Sequence, residues 1–318
     1  MKQLGPWRSV LADYLGMALV LGGLIAIFGT TTQHFFTFGT FRTIANQIPV
    51  ALIIAVGMTY VLVIGGIDLS VGSVLALGGS VFGVCLVKLE LPLPVAILAC
   101  LATGVACGAI NGLVMIRWGL PSFIVTLGML EMARGGAYLV TESRTMYIGS
   151  SLAPIAESSV GGLSVSFILA VVLALVGHVV LARTVFGRYL VAIGTNEEVV
   201  RLAGIDPRPI KLLVFMLSGL LAALAAVMHC ARLSSADPNA GSGFELQAIA
   251  AVVIGGTSLM GGRGSVVNSL FGVLIMAVLE TGLIQLRAGE PTKRLITGAV
   301  IVAAVIVDQY RHRLGKAN

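Results

Sequence analysis

Five polar residues lie inside or beside long apolar stretches of this chain, where such groups are rare. They are Asp68, Ser70, Glu245, Gln247 and Glu280. A charged side chain inside a bilayer costs about 2.5 to 3.5 kcal/mol on insertion scales, so each carboxylate there needs a physical reason. Carboxylates and amides can bond the vicinal hydroxyls of a sugar, which both donate and accept. We therefore interpret these residues as candidates for lining a hydrophilic substrate path.

The carboxylates differ in the structural roles that the sequence allows them. Asp68 follows the Gly-Gly pair at 65–66, which predicts a helix break. It either faces the path from a broken helix or caps the next helix at a turn, where Asp is common. Glu280 has no base near it in the sequence that could neutralise it. By contrast, Glu131 and Arg134 are three residues apart and are predicted to form an ion pair.

A second kind of chemistry, contact with a partner protein, is indicated by the segment 183–211, the one long polar interval in the chain. A basic loop between spans is typical of the cytoplasmic face. Within it, residues 195–198 have the Thr-x-x-Glu pattern of a capping box. Gly204 and Pro207 predict where this short helix ends. The basic residues of the segment are Arg183, Arg188, Arg201, Arg208 and Lys211.

The predicted helix at 195–203 is too short to be stable alone in water, so it needs a surface to pack on. Val199, Leu202 and Ala203 share one face by their spacing, and Glu197 and Arg201 are predicted to pair on another. This pattern is typical of a small helix pressed into a partner's groove. The alternative is a helical turn that packs only on its own protein.

These residues must be positioned by helices that cross a membrane. The chain has 318 residues, of which 57% are hydrophobic and 11% charged, against roughly 25% charged in soluble domains. It is predicted to be an all-α polytopic membrane protein forming one domain over residues 1–318. Spans need about 20 residues, and we predict about ten, some of them interrupted, at 11–31, 44–64, 69–87, 93–116, 122–140, 163–181, 212–231, 245–257, 266–286 and 295–307.

Two sequence patterns bear on how these spans are arranged. Most of the basic residues lie on the side of the segment 183–211 if both termini are cytoplasmic. A weak internal repeat relates VIGGIDL at 63–69 to VIGGTSL at 253–259, and Gly-Ser-Val follows each copy. Repeats with Gly-interrupted segments are a known way to build a transport path.

Several function classes are disfavoured. The net charge of +6 is clustered in short loops and chain ends, so it does not indicate nucleic-acid binding. The four cysteines lie in apolar runs without CxxC spacing, and the four histidines lack metal-ligand spacing, so we predict no metal or cofactor in this chain. It contains no GxxxxGK[ST] phosphate loop and no paired catalytic residues. The remaining alternative is a stand-alone secondary transporter in which Asp68 or Glu280 carries a coupling proton.

Four motifs in order carry a resemblance that spans nearly the whole chain. They are GGIDLSVGSVLALGG at 65–79, PSFIVTLGML at 121–130 after the Asn-Gly at 111–112, FGRYLVAIGTNEEVVRLAGID at 186–206 and FELQAIAAVVIGGTSLMGGRGSV at 244–266. They closely resemble the permease subunits of bacterial sugar ABC importers of the ribose, xylose and galactoside type.

The resemblance implies a non-catalytic permease in the bacterial inner membrane. Its implied partners are a second permease copy or a paralogue, two cytoplasmic ATPase subunits that use ATP and Mg²⁺, and a periplasmic sugar-binding protein. The motif at 186–206 matches the family's loop that meets the ATPase, so the expected coupling residues are Thr195, Glu197, Glu198, Val199, Arg201 and Leu202. The chain departs from the family at 268–269 and at 281–282, after Glu280, which is therefore the expected point of difference in substrate preference.

Overall fold

The computed structural model describes residues 6–32, 34–149, 159–160 and 163–316. Within these ranges the chain is largely helical, with two short antiparallel strand pairs. The helices are α1 Pro6–Thr31, α2 Phe38–Val63, α3 Val71–Val87, α4 Leu93–Trp118, α5 Ser122–Thr141, α6 Val165–Arg183, α7 Val185–Thr195, α8 Glu197–Leu202, α9 Arg208–Leu233, α10 Phe244–Ile254, α11 Val266–Gln285 and α12 Glu290–Lys316. The strands are β1 Met146–Tyr147, β2 Ser159–Val160, β3 Leu163–Ser164 and β4 Ser235–Ala236; β1 pairs with β4, and β2 pairs with β3.

The predicted all-α class is confirmed, and each of the ten predicted spans coincides with a helix. Among the described residues, α2, α4, α5, α6, α9 and α11 are long and apolar enough to cross a membrane. Shorter apolar helices include α3 and α10, each of which adjoins a helix break. The segment between the predicted spans 122–140 and 163–181 lies partly outside the described residues.

Helix α2 is the centre of the bundle. Its side chains from Ile48 to Val63 are almost all buried, and it packs against α6, α9, α10 and α11. A helix that is apolar all round is covered either by protein or by lipid, and for α2 neighbouring helices supply the cover. The end of α2 is therefore held firmly in the protein interior.

Small residues bring α4 and α9 into close contact. A Cβ atom added at Gly104 would overlap the carbonyl oxygen of Gly219, and one added at Gly219 would overlap that of Gly104. Gly108 approaches the backbone of Phe215 in the same way. Such close backbone approach is how helices gain packing energy in lipid, where no hydrophobic force drives them together.

Both copies of the sequence repeat end a helix with the same capping motif. After α2 and after α10 the chain closes with a Schellman motif, in which two successive amides bond back across the last turn. Gly65 and Gly256 adopt φ of +76° and +88°, a region that favours glycine. The bonds run from Gly65 N to Leu62 O (2.9 Å), from Gly66 N to Val61 O (2.8 Å), from Gly256 N to Val253 O (2.8 Å) and from Thr257 N to Val252 O (3.1 Å).

The two breaks meet each other and the end of α7. The amide of Gly262 donates to the carbonyl of Val63 at 2.9 Å. Gly194 lies against both groups, because a Cβ atom at that position would overlap Val63 O and come within 2.5 Å of Gly262 N. The end of α7 is thus fixed to both interrupted helices at one point.

We expect Gly194→Ala to destabilise the protein. The added methyl group has backbone on two sides and cannot be accommodated by a side-chain rotation, so overpacking of about 1–3 kcal/mol or more outweighs the gain in helix propensity. The detergent-solubilised variant should melt several degrees below the parent protein. Gly128→Ala is the matched control, because nothing lies within 4 Å of its added methyl. Equal melting temperatures for the two variants would contradict the described contact.

Candidate functional site

A cavity of about 570 Å³ opens between α2, α10, α11, α12 and the end of α9. Its size falls in the range usual for small-molecule sites. Its walls are mostly apolar, including Ile48, Ala251 and Met276. The polar side chains that line it are Gln47, Arg232, Ser242, Gln247, Glu280, Glu290, Lys293, Arg294 and Thr297.

The charges around this cavity fall into two groups. Glu290, the first residue of α12, pairs with Lys293 at 2.6 Å and Arg294 at 3.4 Å. Hydrogen bonds from these two bases hold the pKa of the Glu290 carboxyl below its usual value. Arg232 and Glu280, in contrast, form no hydrogen bond or salt bridge within the described chain, but they lie near enough for their opposite charges to attract. One carboxylate and one guanidinium therefore face the cavity with free hydrogen-bonding capacity.

The structure brings together two of the five predicted path residues, Gln247 and Glu280. Sequence reasoning missed Gln47, although a polar side chain within the apolar span 44–64 was an available signal. It also missed Arg232, which lies just outside the predicted span 212–231. Both line the cavity; Gln47 lies on α2, and Arg232 lies near the end of α9.

Glu245 lies on a different face of α10 from Gln247, as residues two apart on a helix do. Its carboxylate approaches Gly72 in the first turn of α3, and it is not among the residues that line the cavity. Arg134 lies near it but is held elsewhere. The guanidinium of Arg134 donates to the carbonyls of Pro238 (2.6 Å) and Ala240 (2.8 Å) in the loop before α10.

The predicted ion pair between Glu131 and Arg134 is therefore wrong. Within the described residues the two side chains do not form a salt bridge, although they are three residues apart on α5. The physical reason is that the two loop carbonyls lack helical partners and need a donor, whereas an ion pair with an exposed carboxylate contributes little. Arg134 anchors the loop that leads into α10.

Asp68 and Ser70 form a buried polar cluster away from the cavity. Asp68 is 1% exposed, and one of its oxygens accepts from Ser70 N at 2.9 Å and Ser70 Oγ at 2.6 Å. Its other oxygen accepts from Ser218 Oγ at 2.7 Å. Asn111 Nδ2 completes the cluster with a bond of 3.0 Å to Ser70 Oγ. The cluster ties the break before α3 to α4 and α9.

The alternative in which Asp68 caps a helix is also wrong. The N-cap residue of α3 is Ser70, and Asp68 accepts from the amide of that residue. The irregular backbone beside it finds other side chains: Ile67 N donates to Ser122 Oγ at 2.9 Å, and Leu69 N donates to Thr126 Oγ1 at 3.1 Å. Non-helical backbone in the interior of a membrane protein needs such partners.

The short helix α8 forms where it was predicted, but with a different cap. Asn196 is its N-cap and accepts from the amides of Glu198 at 3.0 Å and Val199 at 3.1 Å. Thr195 belongs to the end of α7 and donates to Val191 O at 2.7 Å. The predicted capping box is therefore wrong, because α7 continues to Thr195 and directs that hydroxyl back along its own helix.

Of two further predictions about α8, one is confirmed and one is wrong. The helix ends at Leu202, and Gly204 follows with φ +84°, which confirms the predicted stop. The predicted pair between Glu197 and Arg201 is wrong, because Glu197 instead forms an ion pair with Lys211 in the first turn of α9. This pair ties α8 to the start of α9.

The outer face of α8 is apolar and uncovered. Val200 is only 6% exposed and anchors the helix to the bundle. Val199 and Leu202, however, are 59% and 83% exposed. Val199 and Leu202 are thus two large apolar side chains of α8 that the described residues leave uncovered. Because α8 follows α7 directly, Val199 lies five residues after Gly194, which contacts both helix breaks.

Comparison with known proteins shows similarity along almost the whole chain. The family described as branched-chain amino acid transport system / permease component matches residues 40–305. The ribose import permease protein RbsC of Escherichia coli K12 is 41% identical over 290 residues, which is 90% of each chain. The D-allose transport system permease protein AlsC of the same strain is 34% identical over 93% of this chain and 92% of its own. The Bacillus subtilis RbsC is 36% identical over 97% and 93%. No solved structure gave a significant match.

We expect Asp68→Ala to lower stability more than Ser218→Ala. The first change leaves three buried donors without their acceptor, at about 1–3 kcal/mol each, whereas the second removes one hydrogen bond worth about 1 kcal/mol. Thermal melting of the purified proteins in detergent shows which of the two variants is less stable. Glu131→Gln, an exposed carboxylate without a salt bridge in the described chain, should melt like the parent protein. An Asp68→Ala variant as stable as Ser218→Ala would show that the cluster does not hold the break.

Proposed function

The chain belongs to the branched-chain amino acid transport system / permease component family, and we propose that it imports a monosaccharide or a related polyol as the membrane subunit of an ATP-binding cassette importer. It is an integral membrane permease with helices long enough to cross a bilayer. The observation that carries the proposal is the combination of a cavity with several polar side chains in its walls and, at a separate place on the same chain, the short helix α8 with Val199 and Leu202 exposed.

The proposed substrate class follows from the chemistry of the cavity. Gln47, Gln247 and Glu280 offer amide and carboxylate groups, and Arg232 offers a fork of donors. A ring with several hydroxyl groups satisfies both kinds at once, and apolar walls can pack on its C–H faces. The relatives are named for import of ribose and transport of D-allose. Glu280 is proposed to decide which sugar is preferred.

The proposed source of energy lies outside the chain. ATPase subunits, which bind ATP and Mg²⁺, would dock on α8 and press on Val199 and Leu202. Such a ligand can shift the bundle between outward and inward states only if its contacts differ between them. A second permease copy or a paralogue and a periplasmic binding protein complete the proposed assembly. Both termini and α8 are proposed to lie on the cytoplasmic side.

The first test is to change the outer face of α8. We expect Glu198→Ala combined with Leu202→Asp to reduce copurification of the ATPase subunits and substrate-stimulated ATP hydrolysis at least tenfold, because the apolar contact is lost and a charge replaces it. Membrane insertion should be unchanged, since both side chains are exposed. Leu120→Asp, which places the same change in the turn between α4 and α5, where Leu120 is exposed, is the control. Normal copurification and hydrolysis in the double variant would rule out the coupling proposal.

The second test addresses the cavity. We expect Glu280→Gln to lower uptake of the preferred sugar about tenfold or more, because a charge-assisted hydrogen bond becomes a neutral one. ATPase copurification should be unaffected, and Glu131→Gln should leave uptake unchanged. Uptake measured in vesicles with the complete assembly provides the comparison. Unaltered uptake would remove Glu280 from the path, and uptake by this chain alone, driven by a proton gradient, would favour a secondary transporter.

A further inference from the structure

A second groove, of about 430 Å³, lies between the end of α6, the outer side of α7 and the start of α11. It shares no residue with the larger cavity, and the proposed transport function does not use it. The residues that line it are His178, Leu181, Ala182, Gly187, Arg188, Val191, Ala192, Gly264 and Ser265. It therefore combines an apolar floor with two side chains that can bind an anion.

The polar groups of this groove all favour negative charge. Arg188 presents a guanidinium, and His178 can donate a hydrogen bond in either protonation state. Neither side chain makes a hydrogen bond or an ion pair within the described chain, and no acidic residue lines the groove. Ser265 is the N-cap of the 20-residue helix α11, whose N-terminus adds a partial positive charge at the wall. A phosphate group can accept hydrogen bonds from Arg188 and His178, and the positive end of α11 stabilises its charge.

The apolar surface next to the groove indicates what carries that phosphate. On α6, Leu175, Val176 and Val179 are more than half exposed, as expected of a helix that faces acyl chains. This face leads directly to His178 and Leu181 at the groove, and the basic pair Arg183 and Arg188 follows. The groove thus lies where an apolar helix surface gives way to a basic segment, which is the level of lipid head groups.

We propose that this groove binds an anionic phospholipid. Arg188 and His178 hold the head-group phosphate, Leu181 and Val191 pack on the glycerol region, and the acyl chains run along the exposed face of α6. Because α7 forms one wall and continues into α8, the bound lipid would also hold α7 against α6 and the start of α11. The proposal depends on membrane insertion and is independent of the substrate.

The test is retention of lipid by the full-length chain, purified with any subunits that accompany it. Protein in mixed micelles of phosphatidylglycerol and phosphatidylcholine in equal amounts is analysed by native mass spectrometry. We expect preferential retention of phosphatidylglycerol, and Arg188→Gln should reduce that preference about fivefold, the effect of one basic residue near anionic lipid. Ala192→Phe, which keeps every charge but fills the groove, should reduce it as well. Arg183→Gln is the control, because Arg183 is a neighbouring exposed base that does not line the groove.

Several results would overturn the proposal. One is equal retention of the two lipids by the parent protein. Another is an equal loss of preference in Arg188→Gln and Arg183→Gln, which would show a general effect of charge. Displacement of phosphatidylglycerol by excess inorganic phosphate would identify a site for the free anion. Loss of ATPase copurification in Arg188→Gln with lipid retention unchanged would identify the groove as a protein docking surface. Melting temperatures of the variants show whether they are folded.

Discussion

A protein in lipid must satisfy every backbone amide and carbonyl within itself, and this constraint governs the two interrupted helices. The breaks after α2 and α10 expose backbone groups in the interior, and each break closes on itself through a Schellman motif. What remains is satisfied by side chains or by the other break: Ser122 and Thr126 serve the first, and Val63 accepts from Gly262 of the second. The breaks are therefore drawn to one another, and Asp68 ties the first to α4 and α9.

The same arrangement connects the candidate cavity to the outer surface. Gln247, near the start of α10, lines the cavity, and the other end of α10 enters the second break. The whole of α10 is about 16 Å long for its 11 residues. Gly194 of α7 rests on both breaks, and α8 follows it. Contacts thus run continuously from α8 to the cavity through α7, one break and a single short helix.

The sequence predicts the helices well because hydropathy and glycine placement are local signals. It predicts less well the features that depend on where a helix turns or which distant chain it meets. Thr195 and Asn196 are both good capping residues, and only the length of α7 decides that Asn196 is the cap. The partner of Asp68, Ser218, is 150 residues away, so no spacing rule reveals that pair. Gln47 reaches the cavity because of how α2 packs, which composition does not encode.

We propose that α8 lies on the cytoplasmic side, where the ATPase subunits contact it, and that it is fixed to the interrupted helices. The direct measurement is labelling of a Leu202→Cys variant with a membrane-impermeant maleimide in right-side-out and inside-out vesicles. Background is low, because the four native cysteines are buried. The account predicts labelling only in inside-out vesicles, with protection when ATPase subunits are present. It predicts the reverse sidedness for Glu142→Cys, because Glu142 directly follows α5 and one predicted span separates it from the segment 183–211. Labelling of Leu202→Cys from the periplasmic side would contradict it.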